Sequence, residues 1–199
     1  MLSFFIFMKL NGSYQINLEK QKVWEALNNP EILKKSIPGC EEFKKNSDTE
    51  FTATATNKIG PFNASFTGDI ELTDLDPPNS YKITGSGNSP VGFASGEAKV
   101  KLEESEKGTN LIYEVEANVG GKIAQVGSRL IDMTAKKMAD IFFGKFSELI
   151  STNDSRSSEQ ISEKKIDQTA EAKPIKQNQK ILIYAGIAAI LAILIYSFI

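Results

Sequence analysis

A strict alternation of apolar and polar side chains is the feature that most limits the folds open to this chain. Between residues 62 and 72, every even position is apolar or glycine and every odd position is polar. This period of two is typical of a strand in an antiparallel sheet with one face buried and the other in water. The alternation recurs in three further sets: Phe51, Ala53 and Ala55; Ala98, Val100 and Leu102; and Leu111, Tyr113, Val115, Ala117 and Val119. Turn signals at residues 60–61, 77–79 and 107–108 separate these predicted strands.

A helical period replaces the alternation over residues 121–150 and predicts one long final helix. Its apolar face is predicted to contain Ile123, Val126, Leu130, Thr134 and Ile141. Near the end of the helix, this face is predicted to shift sideways to Phe142, Phe146 and Leu149. Phe143 falls on the polar side, where we expect it at the surface. A short strand over residues 8–16 is predicted upstream, followed by a helix that starts at Asn17 and a second from Pro30 to Lys35.

These elements predict an α+β domain over residues 9–150. The long helix is the only element large enough to cover the apolar face of the sheet. A curved sheet that wraps around this helix leaves a space between them. Residues 1–8 are predicted to be an N-terminal extension, with synthesis starting at Met8. The alternative is that they form an ordered lead-in to the first strand.

The C-terminal part of the sequence differs from the rest. Residues 181–199 contain no charged side chain, and as a helix they would span about 28 Å, which matches the hydrocarbon core of a bilayer. We expect a single transmembrane helix there. Residues 151–180 are polar and are predicted to be a disordered linker. Lys173, Lys176 and Lys180 precede the apolar run and favour a cytoplasmic domain on a single-pass protein of the cell membrane.

The composition argues against several kinds of chemistry. The chain has no histidine and one cysteine, so it lacks the commonest general base and zinc ligand, and no intrachain disulfide can form. Cys40 is expected to be a small, buried residue and not a nucleophile. A formal net charge of −2 does not suggest nucleic acid as a partner. We therefore expect neither catalysis nor a metal site nor a covalently bound cofactor.

Five sequence blocks carry a family resemblance. They are residues 23–31 (VWEALNNPE), 37–40 (IPGC), 60–62 (GPF), 92–96 (GFASG) and 119–132 (VGGKIAQVGSRLID). Together they resemble the carbon monoxide dehydrogenase G-subunit family over most of residues 9–149. The resemblance implies a START-like (SRPBCC) helix-grip fold with a hydrophobic cavity between the sheet and the long helix. It also implies a partner, a molybdenum hydroxylase of the carbon monoxide dehydrogenase type, which the protein would recruit to the membrane or supply with a quinone.

The small inward residues of the strands leave two interpretations open. They allow either a close approach of the long helix or an open cavity; the family resemblance favours the cavity, with a quinone or other lipid as ligand. The residues predicted to line it are Trp24, Ala53, Ala55, Phe62, Ala64, Phe66, Phe93, Tyr113, Ile123, Val126, Leu130 and Phe142. Segments 85–87 and 92–96 are interpreted as glycine-bearing loops, which form either a lid or tight turns or bulges.

Three functional hypotheses follow. The first is a membrane-anchored carrier of a lipophilic ligand. A lipid that copurifies with the protein would distinguish this carrier from the second hypothesis. The second is a membrane adaptor whose interior is filled, and the third is a START-like enzyme of the cyclase or aromatase type. Lys122, Gln125 and Arg129 are expected to share one exposed helix face and are the candidates for docking a partner protein.

Overall fold

The computed structural model describes residues 5–163, in which seven antiparallel strands form one sheet and a long helix follows them. The strands are β1 (Phe5–Ile16), β2 (Cys40–Lys45), β3 (Glu50–Ile59), β4 (Phe62–Asp76), β5 (Ser80–Ser89), β6 (Gly92–Ser105) and β7 (Gly108–Gly121). The helices are α1 (Lys20–Leu27), α2 (Pro30–Ser36) and α3 (Ser128–Glu163), and a 3-10 turn (Lys122–Val126) precedes α3. The predicted curved antiparallel sheet with a C-terminal helix is confirmed.

The strand order β1-β7-β6-β5-β4-β3-β2 follows from simple connections. Strands β2 to β7 form successive hairpins, and β1 pairs with β7 at one edge of the sheet. Every inward position that the alternation predicts in β3, β6 and β7 is buried. The alternation missed β2 and β5, although Tyr81 and Ile83 of β5 are also buried at a spacing of two.

The two glycine-bearing segments are paired strands, so their interpretation as turns or a lid was wrong. Gly85 lies opposite Gly96, and Gly87 lies opposite Ala94, in the continuous ladder between β5 and β6. A side chain on Gly96 would place its Cβ 2.4 Å from the carbonyl oxygen of Glu116. Glycine is therefore required there by the close approach of neighbouring strands.

The two short helices begin at clear local signals. Pro30 occupies the first turn of α2, and the side chain of Asn29 accepts hydrogen bonds from the backbone N–H groups of Glu31 and Ile32. Helix α1 begins at Lys20, later than the predicted start at Asn17. Val23, Trp24 and Leu27 of α1 are fully buried against the sheet.

A glycine divides the helix that the sequence predicted over residues 121–150. Gly127 has a φ of 89° and separates the 3-10 turn from α3, which resets the helical phase. The buried stripe of α3 is Ile131, Ala135, Met138, Ala139, Phe142, Phe143, Phe146 and Ile150. Leu130, Thr134 and Ile141 are only half-buried. The predicted face was therefore displaced by one position between Leu130 and Ile141. Phe142 and Phe146, at the predicted sideways shift, are buried as expected, whereas Leu149 is half-buried.

The expectation that Phe143 lies at the surface was wrong. Its side chain is 1% exposed and stacks between two tyrosines, with ring centroids 4.6 Å from Tyr14 and 5.4 Å from Tyr113. Strand β1 wraps around the side of α3 and covers a helix face that periodicity alone assigns to solvent. The buried stripe of α3 is consequently wider than a helix on a flat sheet would need.

The folded domain is longer than predicted at both its N-terminal and its C-terminal boundary. β1 begins at Phe5, and Phe5 to Met8 pair with residues 117–120 of β7, so this part of the predicted N-terminal extension belongs to the sheet. Helix α3 continues to Glu163, into the segment predicted to be a linker. No helix among residues 5–163 is long and apolar enough to cross a bilayer. The predicted transmembrane run, residues 181–199, and linker residues 164–180 lie outside the described residues.

Candidate functional site

The space between the sheet and the helices holds most of the residues predicted to line a ligand cavity. Trp24, Ile123 and Phe142 have no exposed surface, and Ala53, Ala55 and Phe66 are at most 2% exposed. Tyr113 belongs to the same hydrophobic core, against which Phe62 and Val126 pack while partly buried. Leu130 is half-buried beside the turn between β3 and β4. The side chain of Ala64 lies outside the described part of the structure.

The inward alanines of the sheet are covered by other side chains. Ala98 and Ala117 have no exposed surface, so no water-sized space touches them. At these positions the structure shows close packing, which was one of the two interpretations of the small residues. A ligand that binds deep between the sheet and α3 would therefore have to displace core side chains there.

Phe93 does not face this interior, so its inclusion among the cavity residues was wrong. It is 37% exposed on the outer face of the sheet, where its ring contacts Phe5. The segment was interpreted as a loop, but it is the start of β6. Extending the alternation of Ala98, Val100 and Leu102 backwards would have placed Ala94 inside and Phe93 outside.

Two polar groups inside the core have no hydrogen-bond partner among the described residues. They are Nε1 of Trp24 on α1 and the hydroxyl of Tyr81 on β5. The two rings form an edge-to-face pair with centroids 5.5 Å apart. Burial raises the pKa of the Tyr81 hydroxyl well above its ordinary value, so this hydroxyl stays protonated and able to donate. Sequence reasoning missed Tyr81 because it missed β5.

Such orphaned donors are unusual because each costs about 1–3 kcal/mol when it is buried without a partner. A third orphan, the hydroxyl of Ser147, lies on α3. An indole N–H and a phenol O–H can each donate one hydrogen bond to an acceptor oxygen. The interior therefore offers an apolar environment with a few unpartnered donors, the pattern of a site for a lipophilic molecule with a carbonyl or hydroxyl head.

Two open grooves lined by described residues lie on the outer face of the sheet. One, of about 580 Å³, is bordered mainly by polar side chains, including Asn46, Glu50, Asp69, Glu71 and Ser86. The other, of about 350 Å³, is bordered by Asp74, Lys82, Lys99, Lys101 and Glu114 among others. The polar border of the first groove does not suit a lipophilic ligand. The second groove combines charged side chains with Val100 and Ile112.

The candidates for nucleophilic chemistry and partner docking are also placed by the structure. The Cys40 thiol is half-buried, and desolvation raises its pKa to about 11, so it is a poor nucleophile at neutral pH. Within residues 5–163, no three acidic or cysteine side chains converge to hold a metal ion. Lys122, Gln125 and Arg129 are all exposed. They do not share one helix face, because Gly127 separates Lys122 and Gln125 of the 3-10 turn from Arg129 of α3.

A curved antiparallel sheet wrapped around a C-terminal helix, with two short helices between the first two strands, defines a START-like helix-grip domain. The chain belongs to the carbon monoxide dehydrogenase G-subunit (CoxG) family, whose model matches residues 12–151. No curated protein matches the chain.

Solved structures support the same fold. A conserved protein from Geobacillus kaustophilus is 31% identical, with 73% of this chain and 96% of that chain covered and a TM-score of 0.69. An uncharacterised protein from Rhizobium leguminosarum is 12% identical over 76% of this chain and 99% of its own, with a TM-score of 0.60. A Streptomyces aromatase/cyclase is 10% identical over 73% and 94%, with a TM-score of 0.55. The last two similarities show the fold alone.

Proposed function

We propose that this protein is a membrane-anchored accessory protein that binds a lipophilic molecule of the quinone class and serves a carbon monoxide dehydrogenase-type molybdenum hydroxylase. Family membership and the START-like fold support a ligand-binding accessory role. The match to the CoxG family over residues 12–151 is the observation that carries this proposal, because it covers the helix-grip domain from within β1 into α3.

The choice of a quinone rests on the chemistry of the interior. A quinone combines an apolar ring and tail with carbonyl oxygens that accept hydrogen bonds. Trp24 and Tyr81 supply unpartnered donors, and Phe66 and Phe142 supply apolar surface nearby in the same core. A carbonyl oxygen that reached both donors would remove their desolvation cost, and this gain would help to offset the displacement of core side chains.

The membrane location rests on residues 181–199. Their uncharged sequence is long enough to span a bilayer, and the preceding lysines favour a cytoplasmic domain. This topology would hold the domain within reach of membrane quinone. Protease added to intact cells should leave the domain uncut, whereas digestion from outside would refute this orientation.

We propose no catalytic role for the domain itself. The sequence contains no histidine, and the Cys40 thiol has a raised pKa. A cyclase or aromatase role draws only on a fold similarity at 10% identity. The stronger alternative is a pure membrane adaptor, which the close packing around Ala98 and Ala117 favours.

Native mass spectrometry of the full chain separates the carrier from the adaptor. The protein is extracted in detergent after incubation with membranes loaded with a menaquinone or a ubiquinone. The carrier role predicts a quinone-bound species that weakens in Tyr81→Phe and Trp24→Phe. Tyr14→Phe is the matched control, because the hydroxyl of Tyr14 already donates to the carbonyl oxygen of Asp140 at 3.4 Å. Wild-type protein free of quinone after loading would leave only the adaptor role.

A further inference from the structure

One end of the domain exposes the large apolar side chains that the rest of the described surface hides. We call it the open end: the turns between β3 and β4 and between β5 and β6, the 3-10 turn, and the starts of β1 and α3. The strongly exposed large apolar residues among residues 5–63 and 65–152, whose burial the structure describes, are Phe5 (61%), Phe7 (56%), Phe93 (37%) and Met133 (61%). All four lie at or next to the open end.

The sheet register brings the aromatic members of this set together. Phe5 of β1 and Phe93 of β6 both lie opposite Gly120 of β7, and their rings form an edge-to-face pair with centroids 5.8 Å apart. A Cβ on Gly120 would lie 2.4 Å from the Phe93 ring, so glycine allows this ring to lie across β7. Phe7 continues the patch along β1, with the Lys9 ammonium 5.5 Å from its ring centroid.

The open end is also locally basic in a chain of formal net charge −2. Residues 57–63, 88–94 and 118–130 carry Lys58, Lys122 and Arg129 and contain no acidic residue. All three cations are exposed, and none has an ion-pair partner among the described residues. Acidic residues follow beyond these segments. Glu116, which pairs with Lys9, lies opposite Glu97, which pairs with Lys82, and Asp132 lies on α3.

From this juxtaposition of exposed phenylalanines and unpaired cations, we infer that the open end docks on an anionic lipid surface. The phenylalanines enter the boundary between headgroups and acyl chains, and the cations contact lipid phosphates. The half-buried Phe62, Val126 and Leu130 lie at this same end and connect the docked surface to the core. The inference rests on the proposed membrane location but not on the identity of any ligand.

Chain length permits this orientation. Helix α3 starts at the open end and has 36 residues, so it carries the chain at most about 54 Å away from a docked surface. Residues 164–180, fully extended, reach about 58 Å. The apolar run 181–199 and the open end can therefore contact the same bilayer, most easily when α3 is tilted.

Tryptophan reporters in the full chain test the docking directly. The protein is reconstituted in vesicles of equal parts phosphatidylcholine and phosphatidylglycerol with brominated acyl chains, which quench nearby indoles. Trp24 is the only native tryptophan and is fully buried, so it contributes a constant background. Phe5→Trp places a reporter at the open end, Lys107→Trp at the opposite end, and Ile183→Trp in the apolar run. We expect strong quenching of the first and third reporters and none at Lys107→Trp.

A charge variant then tests the electrostatic part. Each cation near an anionic surface contributes about five-fold in affinity, so Lys58→Gln/Lys122→Gln/Arg129→Gln should shift docking by about a hundred-fold. The matched control Lys44→Gln/Lys107→Gln/Lys145→Gln changes the net charge equally at exposed sites away from the open end. Quenching of the Phe5→Trp reporter should be lost in the first background and kept in the second.

The reporters separate the ways in which the inference can fail. Quenching at Ile183→Trp without quenching at Phe5→Trp would show that residues 181–199 enter the bilayer but that the open end does not dock on it. The absence of quenching at both would overturn the proposed membrane location as well. If the triple variant instead loses copurification with the molybdenum hydroxylase while Phe5→Trp is never quenched, the open end is a protein-docking surface and the lipid assignment is wrong.

Discussion

The two ends of the sheet differ in how far their large apolar side chains are exposed to solvent. At the end formed by α1 and the turns after β4 and β6, Trp24 and Leu27 are fully buried, and Lys20 donates a hydrogen bond to the side chain of Asn79 across 3.0 Å. At the open end, Phe5, Phe7 and Phe93 remain in water although the same sheet could have carried polar residues there. One end buries its large apolar side chains, and the other retains apolar surface that a partner could cover.

Truncation of one apolar side chain at each end should give the largest difference in the free energy of unfolding. Leu27→Ala removes a fully buried side chain of α1 and should lower the free energy of unfolding by about 2–5 kcal/mol. Phe5→Ala removes a larger side chain that is mostly exposed and should cost less than about 1 kcal/mol. Urea unfolding monitored by circular dichroism measures both. Equal losses would show that the open end is part of the structural core.

Glycine substitutions give a second contrast. Gly68→Ala places a Cβ 2.4 Å from the backbone oxygen of Ser86, which cannot move without disturbing the ladder, so we expect a loss of about 1–3 kcal/mol. The three atoms nearest to a Cβ in Gly120→Ala all belong to the Phe93 ring, which can turn towards solvent, so the cost should stay below about 1 kcal/mol. The same unfolding assay compares them. A larger loss in Gly120→Ala would mean that the aromatic patch is rigid.

The orphaned hydroxyl in the core should produce a change of opposite sign. Tyr81→Phe removes a buried donor without a partner and should raise the free energy of unfolding by up to about 1 kcal/mol in ligand-free protein. The same variant should bind quinone more weakly. Calorimetric melting with and without quinone measures both effects. A destabilised ligand-free variant would indicate that the hydroxyl already has a partner in the folded protein and is not free to bind a ligand head group.

The smallest expected effect concerns the ion pair beside the aromatic patch. The hydrogen bond from Lys9 lowers the pKa of Glu116, so the pair's stabilisation is present above the ordinary pKa of a glutamate and is lost as the pH falls through the lowered value. Both side chains are largely exposed, so the effect should be small and should weaken in high salt. The melting temperature of Glu116→Gln should fall less than that of wild type on acidification through this range. An identical acid response in both proteins would show that the pair is energetically silent.

Much of the architecture could be predicted from the sequence, and the errors have local explanations. The alternation in β3, β6 and β7 identified the buried positions correctly, because side-chain direction in a strand depends only on the parity of the position. β5 was missed because its glycines were interpreted as loop residues. Phe93 was assigned to the wrong face for the same reason, although parity with Ala98 already placed it outside.

The candidate site was less accessible to sequence reasoning. Trp24 and Tyr81 are separated by 57 positions, and only the packing of α1 on the sheet makes them a pair. Whether a buried donor has a hydrogen-bond partner depends on the folded core and cannot be inferred from the identity of the residue. The clustering of Phe5, Phe93 and Gly120 likewise depends on the register of three strands.

The fold class, the family and the faces of most strands could be obtained from residue order alone, since these follow from local periodicity and from motif blocks. Which face of α3 is buried could be learned only from the folded molecule. The position of Phe143 shows why: its surroundings come from Tyr14 and Tyr113, which lie on two strands that wrap around the helix. The spacing of apolar residues along a helix shows only how amphipathic the helix is. How much of its surface is buried depends on how many sides of the helix the neighbouring strands cover.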